Sequence, residues 1–141
     1  MRNLRQRGQA LVELALILPV VAMLVVAATD LGRAYYAYVG IVGAAEQGAR
    51  VAADLRNDDT AINTAVKNEP DGNLTIADGD ILVSCPGGLS PVYGIPASCR
   101  QRGMPVQVAV RYNFRLVTPF VARLLGNDTI VLQGSAARVV E

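Results

Sequence analysis

One apolar stretch near the start of the chain limits what this sequence can fold into. From Ala10 to Thr29 the only charged residue is Glu13. A helix needs about 20 consecutive apolar residues to cross the hydrocarbon core of a bilayer, so the stretch predicts a transmembrane helix. An unpaired carboxylate inside such a helix costs several kcal/mol. Glu13 therefore needs either a partner or a route to the membrane surface.

Length and charge set the frame for the rest of the chain. Its 141 residues, 52% of them hydrophobic, leave room for one membrane segment and one small domain. The net charge of +1 gives no basic field for nucleic acid, so no nucleic-acid partner is expected. Arg2, Arg5 and Arg7 all precede the apolar stretch, which predicts a single pass through the cytoplasmic (inner) membrane, with the N-terminus inside and residues after about 30 outside.

The two cysteines, Cys85 and Cys99, would then lie on the exported side, where disulfides persist. We interpret them as one disulfide, which closes a loop of about 15 residues and stabilises a small domain by on the order of 3 kcal/mol. A metal site is the alternative, but two cysteines without any histidine do not make a ligand set. No metal or other cofactor is expected.

A single long helix is predicted from about Gln9 to Asp54, because the apolar stretch passes directly into an amphipathic one. At about 1.5 Å per residue it would measure about 70 Å, twice the thickness of the hydrocarbon core. Pro19 removes one helix hydrogen bond and predicts a kink. The chain then divides into a basic leader (1–8), the transmembrane half of the helix (9–29), the outer half of the helix (30–56) and an extracytoplasmic α+β domain (57–141).

The outer half of this helix carries three patterns. Its apolar positions follow helical spacing and predict the face that packs on the domain: Leu31, Ala34, Tyr38, Ile41, Ala45, Ala49 and Ala52. Tyr35, Tyr36 and Tyr38 are placed either for an aromatic belt at the membrane surface or for packing against the domain. The glycines suit close contact with another helix or with the chain's own sheet; they are Gly32, Gly40, Gly43 and Gly48.

The remaining residues predict a small antiparallel sheet of three or four strands that packs on the outer half of the helix. Strict alternation from Val106 to Arg115 gives the clearest strand, with the valines on the buried face. The other predicted elements are a short helix 61–68, strands 74–77 and 81–84 joined by a hairpin at Asp78-Gly79, an irregular loop between the cysteines, a helix or wide connection 116–125, and a last strand 129–140. The predicted class is α+β with one disulfide.

The sequence contains few of the residues and motifs that enzymes use for catalysis. The chain has no histidine, which excludes histidine-based triads and imidazole acid–base catalysis. It also has no glycine-rich phosphate loop of the usual spacing. We therefore do not expect an enzyme.

A family resemblance accounts for the glutamate. Residues 7–19 read Arg-Gly-Gln-Ala-Leu-Val-Glu-Leu-Ala-Leu-Ile-Leu-Pro, and Asp30-Leu31-Gly32-Arg33-Ala34 follows. A basic leader, a glycine and a glutamate five residues on resemble the type IV pilin class III signal. These motifs, with Val108–Tyr112 and Leu116-Val117-Thr118-Pro119, are similar to the TadE-like family of the tight adherence (Tad/Flp) pilus system. The resemblance implies a pilin-like fold.

The resemblance also implies roles for particular residues. A prepilin peptidase would cut between Gly8 and Gln9, and Glu13 would pair with the new α-ammonium group of Gln9 in a neighbouring subunit. The alternative for Glu13 is that its carboxylate reaches the cytoplasmic headgroups. Implied partners are the peptidase, other pilins and pseudopilins, the inner-membrane pilus assembly platform and the lipid bilayer.

Three functions remain open from the sequence. The first is a TadE-like minor pseudopilin, a structural or assembly component of an adhesive pilus, possible also as part of the extracellular fibre. The second is an uncleaved single-pass scaffold of the pilus or secretion machine. The third is a secreted binding domain or enzyme released near the small residues Val26-Ala27-Ala28.

Overall fold

The computed structural model describes residues 2–54, 58–70, 74–85, 88–91, 99 and 101–141. Within these residues the chain forms three α-helices, one 3₁₀ turn and four strands. In chain order they are α1 (Arg2–Ala53), α2 (Asp59–Asn68), the 3₁₀ turn (Asp78–Asp80), β1 (Ile81–Cys85), β2 (Gly88–Pro91), β3 (Pro105–Arg115), α3 (Pro119–Leu125) and β4 (Thr129–Val139).

The long helix is confirmed, but it begins earlier than expected. It starts at Arg2 and passes through Gly8, where the sequence predicted a start near Gln9. Arginine, leucine and glutamine are good helix formers, and one interior glycine costs only about 1 kcal/mol, so the basic leader can join the helix. The helix also runs through Pro19 without a break in its bounds; a local kink there stays a prediction.

The chain forms two compact units, one of Met1–Arg33 with Leu116–Asp128 and the other of Ala34–Arg115 with Thr129–Glu141. The second unit contains the sheet, whose strand order is β2-β1-β3-β4 with every neighbouring pair antiparallel. The β3–β4 pairing is continuous from Pro105↔Val139 to Arg115↔Thr129. This confirms the small antiparallel sheet.

The core of the second unit lies between this sheet, the last part of α1 and α2. Val106, Val108, Val110 and Phe114 of β3 are buried, while the alternate residues Gln107, Arg111, Asn113 and Arg115 are exposed, as their alternation predicted. On α1 the buried face consists of Ala37, Ile41, Ala44, Ala45, Ala49, Ala52 and Ala53. Small side chains on this face let the helix approach the sheet closely.

The predicted face of α1 was wrong at its start. Leu31 is 73% exposed and Tyr38 is 45% exposed, although both fit the helical spacing. Periodicity identifies an apolar stripe but not where the surface that covers it begins, and here the buried face begins only at Ala37. Tyr35 and Tyr36 are also exposed, which contradicts core packing and agrees with the aromatic-belt interpretation.

Most of the helix glycines contact the chain's own second unit. A Cβ on Gly48 would lie 2.5 Å from a Val66 methyl group, and one on Gly40 would lie 2.8 Å from a Leu74 methyl group. Gly43 faces Glu69, whereas Gly32 has open space. Close packing within the chain therefore explains Gly40 and Gly48 but not Gly43, where an added Cβ would make an ordinary contact of 3.8 Å. Contact with another helix remains available at Gly32.

Two predictions between α2 and β2 were wrong. Residues 74–77 form no strand, and Asp78-Gly79 lies in the 3₁₀ turn instead of a hairpin. Asp78 is held by Asn63 and Lys67 of α2, so the turn is fixed from outside the sheet. The interval between the cysteines, predicted to be irregular, contains β2, which pairs with β1. Its Pro91 lies at the end of an edge strand, where proline is tolerated.

The other predicted elements are confirmed with small shifts in their bounds. Asp58 is the N-cap of α2, and its side chain accepts a hydrogen bond of 2.9 Å from the Ala61 amide. Gly126 ends α3 in the left-handed region at φ 72°, a conformation that glycine adopts without strain. The disulfide between Cys85 and Cys99 is also confirmed, with 5.4 Å between the two Cα atoms.

Candidate functional site

The first part of α1 is the most unusual surface of the described residues, because its apolar side chains are exposed. The exposed fraction lies between 42% at Met23 and 71% at Leu16. A dozen large apolar residues share this exposure: Leu11, Val12, Leu14, Leu16, Ile17, Leu18, Val20, Val21, Met23, Leu24, Val25 and Val26. Burying one such side chain is worth about 1.5–3 kcal/mol, so this surface requires an apolar environment supplied from outside the chain.

The residues of the predicted processing site lie on this same exposed surface. Gly8, Gln9 and Glu13 are all exposed, and a Cβ added at Gly8 would meet nothing within 4 Å. Glu13 forms no ion pair or hydrogen bond with any residue that the structure describes. Since Glu13 follows Gln9 by four positions, its carboxylate lies about one helical turn further along the helix. An acidic side chain among exposed leucines and valines is therefore available to a cation outside the chain.

The apolar stretch Ala10–Thr29 is followed by Asp30, which is buried. Its Oδ2 accepts a hydrogen bond of 2.8 Å from the backbone amide of Thr118, and its Oδ1 accepts a longer one of 3.4 Å from the amide of Val117. Arg33, one turn further along α1, donates to Oδ1 at 3.3 Å. Asp30 thus ties α1 to the segment that leads into α3.

The surroundings of Asp30 favour its ionised form. The pKa of Asp30 is lowered from its ordinary value of 3.8, first by the neighbouring Thr118 hydroxyl; burial opposes this, and the two amides and Arg33 reinforce it. The hydroxyl oxygen is buried and makes no hydrogen bond of good geometry within the described part of the chain. The hydrogen bonds from the two backbone amides therefore account for the contact between Asp30 and this segment.

Both halves of this contact lie in motifs of the sequence, but no local pattern connects them. Asp30 belongs to the motif Asp30–Ala34 and Thr118 to the motif Leu116–Pro119, and 88 residues separate Asp30 from Thr118. An acidic residue directly after an apolar stretch was the one available signal, but it does not identify its partner. The structure brings these two motifs together, whereas Cys85 and Cys99 belong to the other unit.

The second unit also contains a charged cleft. It has a volume of about 1150 Å³ and lies between the end of α1 and β4. Its charged lining residues are of both signs: Glu46, Arg50, Asp54, Arg102, Arg138 and Glu141. The mixture does not select an anionic or a cationic ligand. Among the described residues, no group of three or more His, Cys, Asp or Glu side chains could hold a metal ion.

Comparison with known proteins finds one similarity, and it lies along α1. The family model of the TadE-like proteins matches residues 8–50. Residues 8–50 of this chain are therefore similar to the TadE-like family. The match covers Gly8, Gln9, Glu13, Pro19 and Asp30, and so confirms the resemblance over α1. No curated protein and no solved structure matches the chain.

The TadE-like segment supports a component related to the Tad pilus. It also contains the described helix that is long and apolar enough to cross a membrane, with none of its most apolar window buried. This is consistent with membrane anchoring. Residues Val108–Tyr112 and Leu116–Pro119, which contributed to the resemblance, lie outside the matched range.

Replacing Asp30 tests its contact with the backbone amides of Val117 and Thr118. We expect Asp30→Asn to lower the free energy of unfolding by about 1.5–3 kcal/mol, because hydrogen bonds to a charged group are replaced by weaker neutral ones. Amide hydrogen exchange at Val117 and Thr118, measured on the full chain in detergent micelles, should accelerate. Arg33→Ala is the control and should have a smaller effect, because its side chain is half exposed and such ion pairs contribute little.

The same contact predicts a pH dependence. A carboxylate whose folded-state pKa is lowered stabilises the fold above its ordinary value of 3.8, and the contribution is lost as the pH falls through the lowered pKa. We expect exchange at Val117 and Thr118 to accelerate below pH 3.8, relative to the intrinsic rate. In Asp30→Asn this acceleration at low pH should be absent. If the variant shows the same pH profile as the wild type, Asp30 is not the group responsible.

Proposed function

We propose that this chain is a TadE-like minor pseudopilin, a structural or assembly component of a Tad/Flp adhesive pilus that is processed after Gly8 by a prepilin peptidase. One observation carries the proposal. The apolar stretch of α1 (Ala10–Thr29) is largely exposed and contains a single carboxylate, Glu13, five residues after Gly8. The family match over residues 8–50 supports it.

The membrane provides the environment that the exposed apolar surface needs before assembly. Residues 9–29 would cross the cytoplasmic membrane, with the arginines of the leader inside and the second unit outside. A neighbouring helix can replace lipid along the same surface, because leucine and valine pack equally well against either. The same helix therefore suits both an anchored precursor and a subunit in a helical bundle.

Processing after Gly8 would give Glu13 its partner. The cut leaves a free α-ammonium group on Gln9, which is costly to enclose in a bundle of apolar helices unless a carboxylate compensates it. Glu13 of a neighbouring subunit, shifted along the axis, can supply that carboxylate. Each subunit would thus pair its Gln9 α-ammonium group with one neighbour and its Glu13 carboxylate with another. These pairs fix how far neighbouring helices are shifted along their axes.

The expected interactions follow from this arrangement. Before processing the chain meets the lipid bilayer and the prepilin peptidase, and afterwards it meets other pilins or pseudopilins and the inner-membrane assembly platform. The proposed role is structural and not enzymatic, and it needs no cofactor. The disulfide between Cys85 and Cys99 agrees with an exported second unit.

Intact-mass measurement on protein purified from native membranes tests the processing step. We expect a mature chain that begins at Gln9. Gly8→Leu should remain uncut, because the side chain occupies the position that the peptidase reads. Gly32→Leu is the matched control, since both glycines have open space around them, and it should be cut normally. Equal cutting of both variants would contradict processing at Gly8.

An uncleaved scaffold is the second candidate, and one observation favours it. α1 continues without a break from Arg2 through Gly8, so the bond to be cut lies within a helix. Such a bond becomes accessible only after local unwinding, for which Gly8 lowers the cost. A full-length mass in the membrane fraction would support the scaffold, and a chain that begins near Thr29 would exclude both candidates.

A further inference from the structure

The segment between β3 and β4 is held beside the end of the apolar part of α1. The amides of Val117 and Thr118 bind the Asp30 carboxylate, and the amide of Leu116 donates to the Asp128 carbonyl oxygen at 2.9 Å. Both ends of residues 116–128 are therefore fixed by hydrogen bonds. The position of this segment relative to α1 is set by Asp30.

Asp30 is also the residue at which the apolar stretch ends. The 20 residues from Ala10 to Thr29 give a helix of about 30 Å, the thickness of the hydrocarbon core. If these residues cross the bilayer, Asp30 lies at the boundary between hydrocarbon and headgroups. The amides of Val117 and Thr118, within hydrogen-bond distance of it, lie at the same depth.

The described side chains at this depth differ sharply in exposure. Leu116 and Thr118 are buried, whereas Val117 between them is 66% exposed. The hydrogen bonds from its own amide and from the amide of Thr118 to Asp30 hold the backbone on both sides of this side chain. A large apolar side chain is thus fixed in an outward position next to the end of the membrane span.

The sequence of the segment fits a lipid interface better than water. Among residues 116–125 the only charged residue is Arg123, which is exposed in the last turn of α3. A short apolar stretch with a basic residue is the composition of segments that lie in the headgroup layer, where arginine reaches anionic phosphates. No acidic residue in this stretch opposes that contact.

We propose that residues 116–125 lie in the interfacial layer of the same bilayer that α1 crosses, with Val117 inserted among the lipids and Asp30 setting the depth. This rests on the proposed membrane anchoring of residues 9–29. The lipid surface is favoured over a protein partner because the exposed Val117 is hydrogen-bonded through its amide to Asp30, the first residue after the apolar stretch that would cross the bilayer. The segment would then form a second, shallow membrane contact.

Tryptophan fluorescence tests this directly, because the chain contains no tryptophan. Single substitutions Val117→Trp, Leu16→Trp and Val131→Trp place a reporter in the segment, in the apolar part of α1 and on β4. All three positions are similarly exposed, at 66%, 71% and 61%. Each full-length variant is reconstituted in phosphatidylcholine–phosphatidylglycerol vesicles that carry a nitroxide quencher either near the headgroups or deep in the acyl chains.

We expect the Val117→Trp emission to shift to the blue and to be quenched by the shallow nitroxide more than by the deep one. Leu16→Trp should be quenched by the deep nitroxide, and Val131→Trp by neither. Adding Asp30→Asn to Val117→Trp should weaken the shallow quenching, because the segment is no longer held at that depth. Should Val117→Trp fail to accumulate, a nitroxide attached to Val117→Cys reports the same depth from oxygen and nickel accessibility.

The outcomes separate this inference from the proposed function. Quenching of Leu16→Trp without quenching of Val117→Trp would overturn the interfacial segment and leave the anchor standing. Absence of quenching at Leu16→Trp would contradict the anchor itself. Strong deep quenching at Val117→Trp would also overturn the inference, because it places the segment within the hydrocarbon.

Discussion

Glu13→Ala should leave membrane insertion and processing after Gly8 intact and should nearly abolish recovery of the chain in sheared fibres. The removal of one partner from a buried charge pair costs about 3–5 kcal/mol, since the remaining charge stays uncompensated. At about 1.4 kcal/mol for each factor of ten, incorporation should fall by about a hundredfold or more. The measurement is the ratio of fibre-bound to membrane-bound protein by quantitative immunoblotting.

Two variants make this result specific to the charge and position of Glu13. Glu13→Gln keeps the size of the side chain but removes its charge, so it should fail as Glu13→Ala does. Glu46→Ala removes another exposed glutamate of the same helix and should be incorporated normally. If Glu13→Ala is recovered in fibres at the normal level, Glu13 has no pairing role and a carboxylate that only reaches the headgroups becomes the better explanation.

Gly134→Ala should destabilise the second unit, because the added methyl group would meet the backbone of α1. A Cβ at Gly134 would lie 2.9 Å from the Ile41 carbonyl oxygen and 2.9 Å from the Val42 nitrogen. These are backbone atoms of α1, so the clash is relieved only if β4 and α1 move apart. Overpacking of this kind costs about 1–3 kcal/mol, and in a domain of this size each kcal/mol lowers Tm by about 4–8 °C.

The sign of the effect makes this a sharp test. Alanine is ordinarily no worse than glycine in the interior of a strand, so a loss of stability must come from the contact with α1. Gly79→Ala is the control, because nothing lies within 4 Å of the added methyl group. Thermal unfolding of the full chain in detergent micelles should show a clear fall in Tm for Gly134→Ala only. Equal Tm values for the two variants would refute the close packing of β4 on α1.

The sequence was most informative where a pattern extends over many residues. The apolar stretch and its amphipathic continuation predicted α1, and the alternation in β3 identified its buried face, because both depend on repeated local periodicity. The cysteine pair was also predicted correctly from local chemistry. The sheet could be placed against α1 because an amphipathic helix and a half-buried sheet each need such a partner.

The failures occurred where a distant residue decides the local structure. Asp78-Gly79 has the sequence of a hairpin turn, but Asn63 and Lys67 hold Asp78 in a 3₁₀ turn. Leu31 and Tyr38 fit the apolar stripe of α1 but lie outside the surface that covers it. The contact between Asp30 and Thr118 joins residues 88 positions apart, and no local pattern specifies such a pair.

The roles predicted for Gly8 and Glu13 stay predictions. Gly8 and Glu13 were identified from spacing and resemblance, because a carboxylate in an apolar helix is a conspicuous exception. The family match now covers both residues, and the structure leaves both exposed. Asp30 was assigned no role from the sequence, because the sequence alone does not show whether an aspartate is buried or solvated.

The central claim is that one helix serves first as a membrane anchor and then as part of a processed fibre subunit. The most direct measurement is the intact mass of the native chain in two fractions, purified membranes and fibres sheared from the cell surface. The account predicts a chain that begins at Gln9 in both fractions. A full-length chain found in membranes alone would contradict it.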